Sequence, residues 1–230
     1  MESNYSTSPS IEEAKTFIPN VKKASCAYRF SKRFFDVIIS VSAIVILSPL
    51  FLLVMIINLF VCKGRPFYRD IRIGANGKKI GLYKFQSMYP DAETHPEKYL
   101  TPDQLQEWNA ERKVENDPRI IPFGRFLRKT SLDELPQFIN IIAGSLALVG
   151  PRAITEAELG FNYSEKQQKI LVSCRPGLTG YWQVKARNDA TYESGQRTRM
   201  EMTYFEKRGF FYDFYLILAT IPAMFKHEGM

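Results

Sequence analysis

The chain has 230 residues, a formal net charge of +7, three cysteines and two histidines, enough for one medium domain plus a membrane segment. Cys26, Cys62 and Cys174 are scattered without a CxxC, and His95 and His227 lie far apart, which argues against disulfide frameworks, zinc sites and Ser-His-Asp chemistry and fits a reducing cytoplasm. The positive balance favours anionic partners such as lipid headgroups, nucleotides, phosphosugars or nucleic acid, without choosing among them.

Residues 1–27 are polar and read as a mobile leader. Residues 28–62 are expected to form the membrane segment and 63–230 a cytosolic domain. The uncharged run Val37 to Val61 would reach about 38 Å as a straight helix, against a hydrocarbon core of about 30 Å. It starts too late and runs too long for a secretory signal. Lys32 and Arg33 precede it, and Lys63, Arg65, Arg69 and Arg72 follow, so the positive-inside rule keeps both flanks in the cytoplasm. A helix broken at Ser48-Pro49 meets both demands by dipping into one leaflet and returning. Proline removes one ladder hydrogen bond, and Ser48 can re-satisfy a freed carbonyl. A straight single-pass anchor is the competing reading.

Phe67 to Phe85 has the pattern of a β-hairpin turning at Asn76-Gly77, where a type I′ turn needs two positive φ angles. Lys84 lies on the returning strand. Thr101-Pro102-Asp103-Gln104 opens a helix with a capping box and runs to about Lys113. In FGRFLRKTSLDELPQFINIIAG, Leu132, Leu135, Phe138, Ile139 and Ile142 recur at helical spacing up to Gly144. Ser131 or Asp133 would be the N-cap, and either register puts Asp133 and Glu134 at the helix N-terminus. Ser164 to about Ser173 reads as a short helix, Arg175 to Gly180 as a loop with a type II turn at Pro176-Gly177, and Thr191 to Arg208 as a charged helix. Phe210 to Phe225 is aromatic-rich, with an uncharged part of about 12 residues that is too short to span a bilayer. It is either an interfacial helix or a buried core helix.

Adjacent carboxylates at a helix start are usually capping. Here Arg125, Arg128 and Lys129 come just before them, and Arg152, Arg175 and Arg187 lie on turns downstream. Arginine forks match phosphate oxygens, and a carboxylate among them can attack phosphorus or hold Mg²⁺ against a diphosphate. Spacing alone does not say which.

The strings KRFFDVIIS…LSPLF, LYKFQSM, GRFLRKTSLDELPQFINIIAGSLALVGPR and RPGLTGYWQVKARN follow one another over most of the chain. Together they resemble the bacterial sugar transferase family, the monotopic polyprenyl-phosphate phosphoglycosyl transferases. The resemblance implies transfer of a sugar-1-phosphate from a UDP-sugar to a polyprenyl phosphate, with release of UMP, as a membrane step of exopolysaccharide, capsule or glycoconjugate synthesis. It implies Mg²⁺, a re-entrant helix broken at Ser48-Pro49, and the cytoplasmic face of the bacterial inner membrane. Asp133 becomes the nucleophile and a metal contact, and Glu134 an acid/base or metal-placing partner. Lys84, Arg128, Arg152, Arg175 and Arg187 become phosphate or nucleotide ligands. Two departures from the family pattern stand out: Gly144 to Ala147 lacks the usual acidic residue before VGPR, and Ala153 replaces a proline after it.

The expected fold is therefore α+β and mostly helical, with a re-entrant membrane helix, a β-hairpin and interfacial amphipathic helices. Membrane lipids are partners, nucleic acid is not, and the aromatic surface near Phe210 to Tyr215 leaves a homo-oligomer open. A non-catalytic membrane scaffold is the alternative, and a nucleic-acid binder a weaker one with no binding motif to support it.

Overall fold

The structure, a computed structural model, describes residues 10–111, 114–186 and 190–226. The fold is α+β and mostly helical. In chain order the elements are α1 (Ile11–Thr16), α2 (Cys26–Val61), β1 (Phe67–Ile73), β2 (Lys79–Phe85), α3 (Pro102–Glu111), α4 (Pro122–Lys129) and α5 (Gln137–Ala143). There follow β3 (Ala147–Val149), α6 (Glu156–Asn162), α7 (Glu165–Leu171), β4 (Gly177–Thr179), α8 (Tyr181–Ala186), α9 (Gln196–Lys207) and α10 (Phe210–Lys226). β1 pairs with β2. β3 pairs in parallel with β4, with Ala147 opposite Gly177 and Val149 opposite Thr179. The chain groups into two compact units: the first takes described residues up to 38, 71–80 and from 141 onward, the second 39–70 and 81–140.

α2 carries Pro49 inside an uninterrupted helix, and it is long and apolar enough to cross a membrane. The missing Pro49 N–H would have served the carbonyl of Val45. The Ser48 hydroxyl donates to that oxygen at 2.8 Å instead, so the ladder continues through the proline.

In the second unit, Val54 of α2, Phe85 of β2 and Leu127 of α4 form a buried core, joined by Phe51, Phe123, Leu132 and Leu135. The Phe51 and Phe85 rings lie 4.9 Å apart. Asn58 donates to the carbonyl oxygens of Pro66 and Gln86 at 3.2 and 3.0 Å, which ties the end of α2 to the entry and exit of the hairpin. At the hairpin tip Asn76 and Gly77 have φ of 57° and 72°. The Lys78 N–H donates to the Ala75 carbonyl at 3.3 Å, as a type I′ turn requires.

In the first unit part of the leader is regular: residues 11–16 form α1. Ser10 and Glu13 form a capping box for α1, Ala14 is buried, and the buried Gln167 amide donates to the carbonyls of Ala14 and Phe17 at 2.8 and 2.9 Å. The Ser10–Glu13 cap is a local signal, but the bonds to Gln167 that seat the helix come from a residue far along the chain. The start of α2 is latched in the same way. Arg33 donates to the Ile141 and Ile142 carbonyls at 2.6 and 2.7 Å, covering the C-terminal end of α5, where a cation is favoured. Buried Asp36 accepts from the Leu148 N–H at 3.2 Å. Asp213 of α10 accepts from Tyr28 at 2.7 Å, Lys32 at 2.8 Å and Tyr204 at 3.2 Å. Asp213→Asn keeps the shape but leaves Lys32 without its countercharge, so it is expected to cost about 2 kcal/mol, read as a lowered melting temperature in detergent or nanodiscs.

α10 turns Asp213 and Leu216 inward and packs on β3, β4 and α8. Phe211, Phe214, Tyr215, Leu218 and Ile221 are exposed along its other face. It is thus half core helix and half open apolar surface.

The β3–β4 pairing was not expected, and it corrects the type II turn. That turn needs a positive φ at Gly177, whereas the positive-φ glycines among the described residues are Gly64, Gly77, Gly144 and Gly195. Gly177 serves proximity instead: a Cβ there would lie 2.1 Å from the Gly150 nitrogen.

Candidate active site

Lys84, Arg128, Asp133 and Glu134 all belong to the second unit. Asp133 and Glu134 do not open an α-helix as expected. α4 ends after Lys129, Ser131 turns left-handed at φ 55°, and Leu132–Glu134 forms a 3₁₀ turn before α5 begins at Gln137. Two features impose the break. Pro136 has no N–H to donate, so regular α hydrogen bonding starts only beyond it. Leu132 and Leu135 are both drawn into the core around Phe85. Asp133 is buried, with 8% of its surface exposed.

Lys84 Nζ stands 3.5 Å from Glu134 Oε1 and 3.5 Å from Asp70 Oδ2. Neither contact is a tight hydrogen bond. The ammonium is shared between two carboxylates, and such a cation can also meet a phosphate. Its strand is pinned on both sides. Phe85 is a core residue, and Ser87 and Met88 beyond it are gripped by the segment leading into α4: the Ile121 N–H donates to the Ser87 carbonyl at 3.2 Å, and Met88 bridges Ile120. A Cβ at Gly124 would lie 2.0 Å from the Ser87 oxygen, so only glycine lets α4 come this close. That approach brings Arg128 Nε to 3.0 Å from Ser87 Oγ.

Arg152 and Arg175 belong to the first unit. The Arg152 N–H donates to Glu201 Oε2 at 3.0 Å, its backbone bridges Gly177, and its guanidinium lies 5.2 Å from the Trp182 ring centre. Arg197 stands 4.3 Å from the same ring and 4.0 Å from that of Tyr192. Glu158 pairs with Arg72 at 3.1 Å and Arg197 at 3.5 Å. Burial opposes its charged form, but those two guanidiniums outweigh burial and hold it below the usual carboxylate range. Glu201, fully enclosed, is pushed up by burial, with the Arg152 N–H and the Arg197 charge pulling back only in part. Arg175 is exposed beside Pro176. Arg187 lies outside the described residues.

Asp70, Ser87, Glu201 and Trp182 were not nominated from sequence. Asp70 had one available signal: it lies on the strand paired with that of Lys84. Asp133 and Glu134 offer the hard oxygen donors that magnesium takes. No grouping of three His, Cys, Asp or Glu side chains able to hold a metal occurs among the described residues. Magnesium is usually held by one or two carboxylates together with substrate phosphates.

Comparison with known proteins places the chain in a family. The profile of the bacterial sugar transferase family matches residues 27–227, and the chain belongs to that family. It is 40% identical over 201 residues to "Exopolysaccharide production protein ExoY" of Rhizobium meliloti (strain 1021), covering 86% of this chain and 87% of that one. It is 37% identical to the "UDP-galactose-lipid carrier transferase" of Erwinia amylovora over 87% of this chain and 42% of that one. It is 36% identical to the "Undecaprenyl-phosphate galactose phosphotransferase" of Salmonella typhimurium, with the same coverage of each.

Proposed function

We propose that this protein transfers a sugar-1-phosphate from a UDP-sugar to a polyprenyl phosphate, such as undecaprenyl phosphate, and releases UMP. The observation that carries the reading is Asp133 beside a Lys84–Glu134 ion pair in a member of this family. A carboxylate oxygen of Asp133 attacks the sugar-bearing phosphorus, the P–O bond to UMP breaks, and the bridging oxygen leaves on UMP. An oxygen of the lipid phosphate then attacks the aspartyl phosphate and frees the carboxylate. Each displacement forms one P–O bond and breaks one, so a single phosphate pocket serves both substrates in turn. Mg²⁺, held by Asp133 and Glu134, would supply charge neutralisation of the diphosphate. Lys84 and Arg128 place fixed positive charge where the phosphoryl group gains negative charge, and Arg152, Arg175 and Arg187 hold phosphate or nucleotide. The donor is a UDP-hexose, galactose or glucose, in exopolysaccharide or capsule synthesis.

The membrane assignment belongs to the same reading: α2 enters and leaves the cytoplasmic leaflet of the bacterial inner membrane. Its start bonds Ile141, Ile142 and Leu148, and its end bonds Pro66 and Gln86, all residues of the polar chain that follows it. Basic residues at both ends, Lys32 and Arg33 before the apolar run and Lys63 and Arg65 after it, favour re-entry over crossing. The contact of Phe51 and Val54 with Phe85 supports a site near the apolar layer, where a lipid phosphate would arrive. The exposed apolar face of α10 is itself suited to a headgroup layer.

With UDP-sugar, Mg²⁺ and undecaprenyl phosphate, the protein in nanodiscs is expected to release UMP, and chelation to stop it. Release of UDP would overturn the assignment, because simple glycosyl transfer leaves both phosphates on the nucleotide.

A further inference from the structure

Asn140 is buried, with 3% of its surface exposed, in a position the chemistry above does not use. Its Oδ1 accepts from the Tyr83 N–H at 2.8 Å and its Nδ2 donates to the Gly81 carbonyl at 2.8 Å. These two bonds reproduce what the N–H and C=O of one residue on a neighbouring parallel strand would offer β2. Among the described residues β2 has only β1 as a strand neighbour, so the amide side chain stands in for a ladder on its other edge. The residue is on α5, directly after the turn that carries Asp133 and Glu134, and it grips the backbone directly before Lys84.

We propose that Asn140 is a positioning residue: its amide clamps β2 to α5 so that the Lys84 ammonium is held at Glu134. Without the clamp, β2 at Lys84 and the turn at Glu134 would be related through the apolar contacts of Phe85, Leu132 and Leu135 and through the bonds of Ser87 to the α4 segment, which lie beyond Phe85. The apolar contacts are non-directional and permit sliding. The paired amide bonds are directional and fix register. A 3.5 Å ion pair needs that, because an error of about 1 Å in a catalytic group can cost on the order of a hundredfold in rate.

The inference rests on the phosphoglycosyl transfer reading for its kinetic arm but not for its second arm. The kinetic arm is a cycle of Asn140→Ala, Lys84→Ala and the double variant, with UMP release measured in nanodiscs. Asn140→Ala is expected to lower kcat about tenfold or more with Lys84 present, with a smaller change in KM, and less than about threefold in the Lys84→Ala background. Equal losses in both backgrounds would overturn the proposal and leave Asn140 a purely structural residue. Asn140→Asp keeps the acceptor for Tyr83 but not the donor for Gly81, so it should fall between, and it replaces Asn140→Ala if that variant does not fold.

The second arm is competitive acetylation of the full chain read by mass spectrometry, with exposed Lys79 as the internal standard. The Lys84 to Lys79 labelling ratio is expected to rise at least threefold in the Asn140 variant. An unchanged ratio would reject the clamp. A parent protein that releases no UMP would sink the transferase reading alone, since the labelling ratio still decides the role of Asn140.

Discussion

Asp133→Asn is expected to reduce UMP release by on the order of a thousandfold or more while leaving the melting temperature nearly unchanged. The large kinetic effect follows from the role. An amide oxygen is a poor nucleophile toward phosphorus and carries no charge for a metal, so both the covalent route and the ion would be lost together. The small stability effect follows from the place: Asn has the shape of Asp, and the core below the turn is made by Leu132 and Leu135 rather than by the carboxylate. Two measurements check the assignment. Withholding polyprenyl phosphate should accumulate a phosphosugar adduct on the parent protein, and peptide mass spectrometry should locate it on Asp133. A label on Glu134, or an Asp133→Asn variant still supporting glycan synthesis, would reject the nucleophile and favour a scaffold. Glu134→Gln should also slow transfer, but it loses the Lys84 partner rather than the attacking atom and so should still form some adduct.

The sequence was most legible where a local rule was sufficient. Thr101 and Gln104 make the reciprocal cap that their spacing requires, at 3.3 and 3.1 Å. The tip at Asn76-Gly77 takes the two positive φ angles that type I′ demands. α7 and α9 follow their apolar and charged periodicity. What failed was non-local. β3 and β4 have three residues each, too few for an alternation to register, and they find one another across about thirty residues. α8 is hidden because it begins directly after Gly180 in a stretch that reads as a turn. The helix expected from Ser131 or Asp133 begins only at Gln137, because Leu132 and Leu135 carry helical spacing through a 3₁₀ turn and Pro136 lacks an N–H; α4 before it was not expected.

The candidate site divides in the same way. Asp133, Glu134, Lys84 and Arg128 are chemically conspicuous and could be nominated singly, yet nothing local says that Lys84 reaches Glu134. The residues that arrange them, Ser87, Asn140 and Gly124, are chemically bland. Their importance comes from which backbone groups they meet. In the first unit, likewise, Arg152 could be nominated, but the Trp182 face and the buried Glu201 that bracket it are brought together only by the fold.

The last expectation concerns that bracket. Gly177→Ala is expected to lower stability by about 3 kcal/mol, at the upper end for overpacking, and to lower transfer activity in the protein that still folds. The added methyl would sit 2.1 Å from the Gly150 nitrogen, 2.7 Å from its Cα and 2.4 Å from the Thr179 oxygen. All three are backbone atoms, so no rotamer change relieves the clash, and β3 and β4 must separate. That strains the bonds from Ala147 N–H to Pro176 O at 2.9 Å, Gly150 N–H to Thr179 O at 3.0 Å and Gly177 N–H to Pro151 O at 2.8 Å. Arg152 bridges Gly177 directly, so its backbone moves with the strand and its N–H is drawn off the buried Glu201. A carboxylate so enclosed tolerates the loss of a donor poorly. Gly160→Ala is the control of opposite sign. Gly160 lies within α6 with nothing inside 4 Å of an added Cβ, and it has no positive φ, so alanine should stabilise by about 0.5–1 kcal/mol through helix propensity. Thermal melts of the two variants in one nanodisc preparation should therefore shift in opposite directions. A Gly177→Ala protein as stable as the parent would refute the close strand packing that holds Arg152 in place.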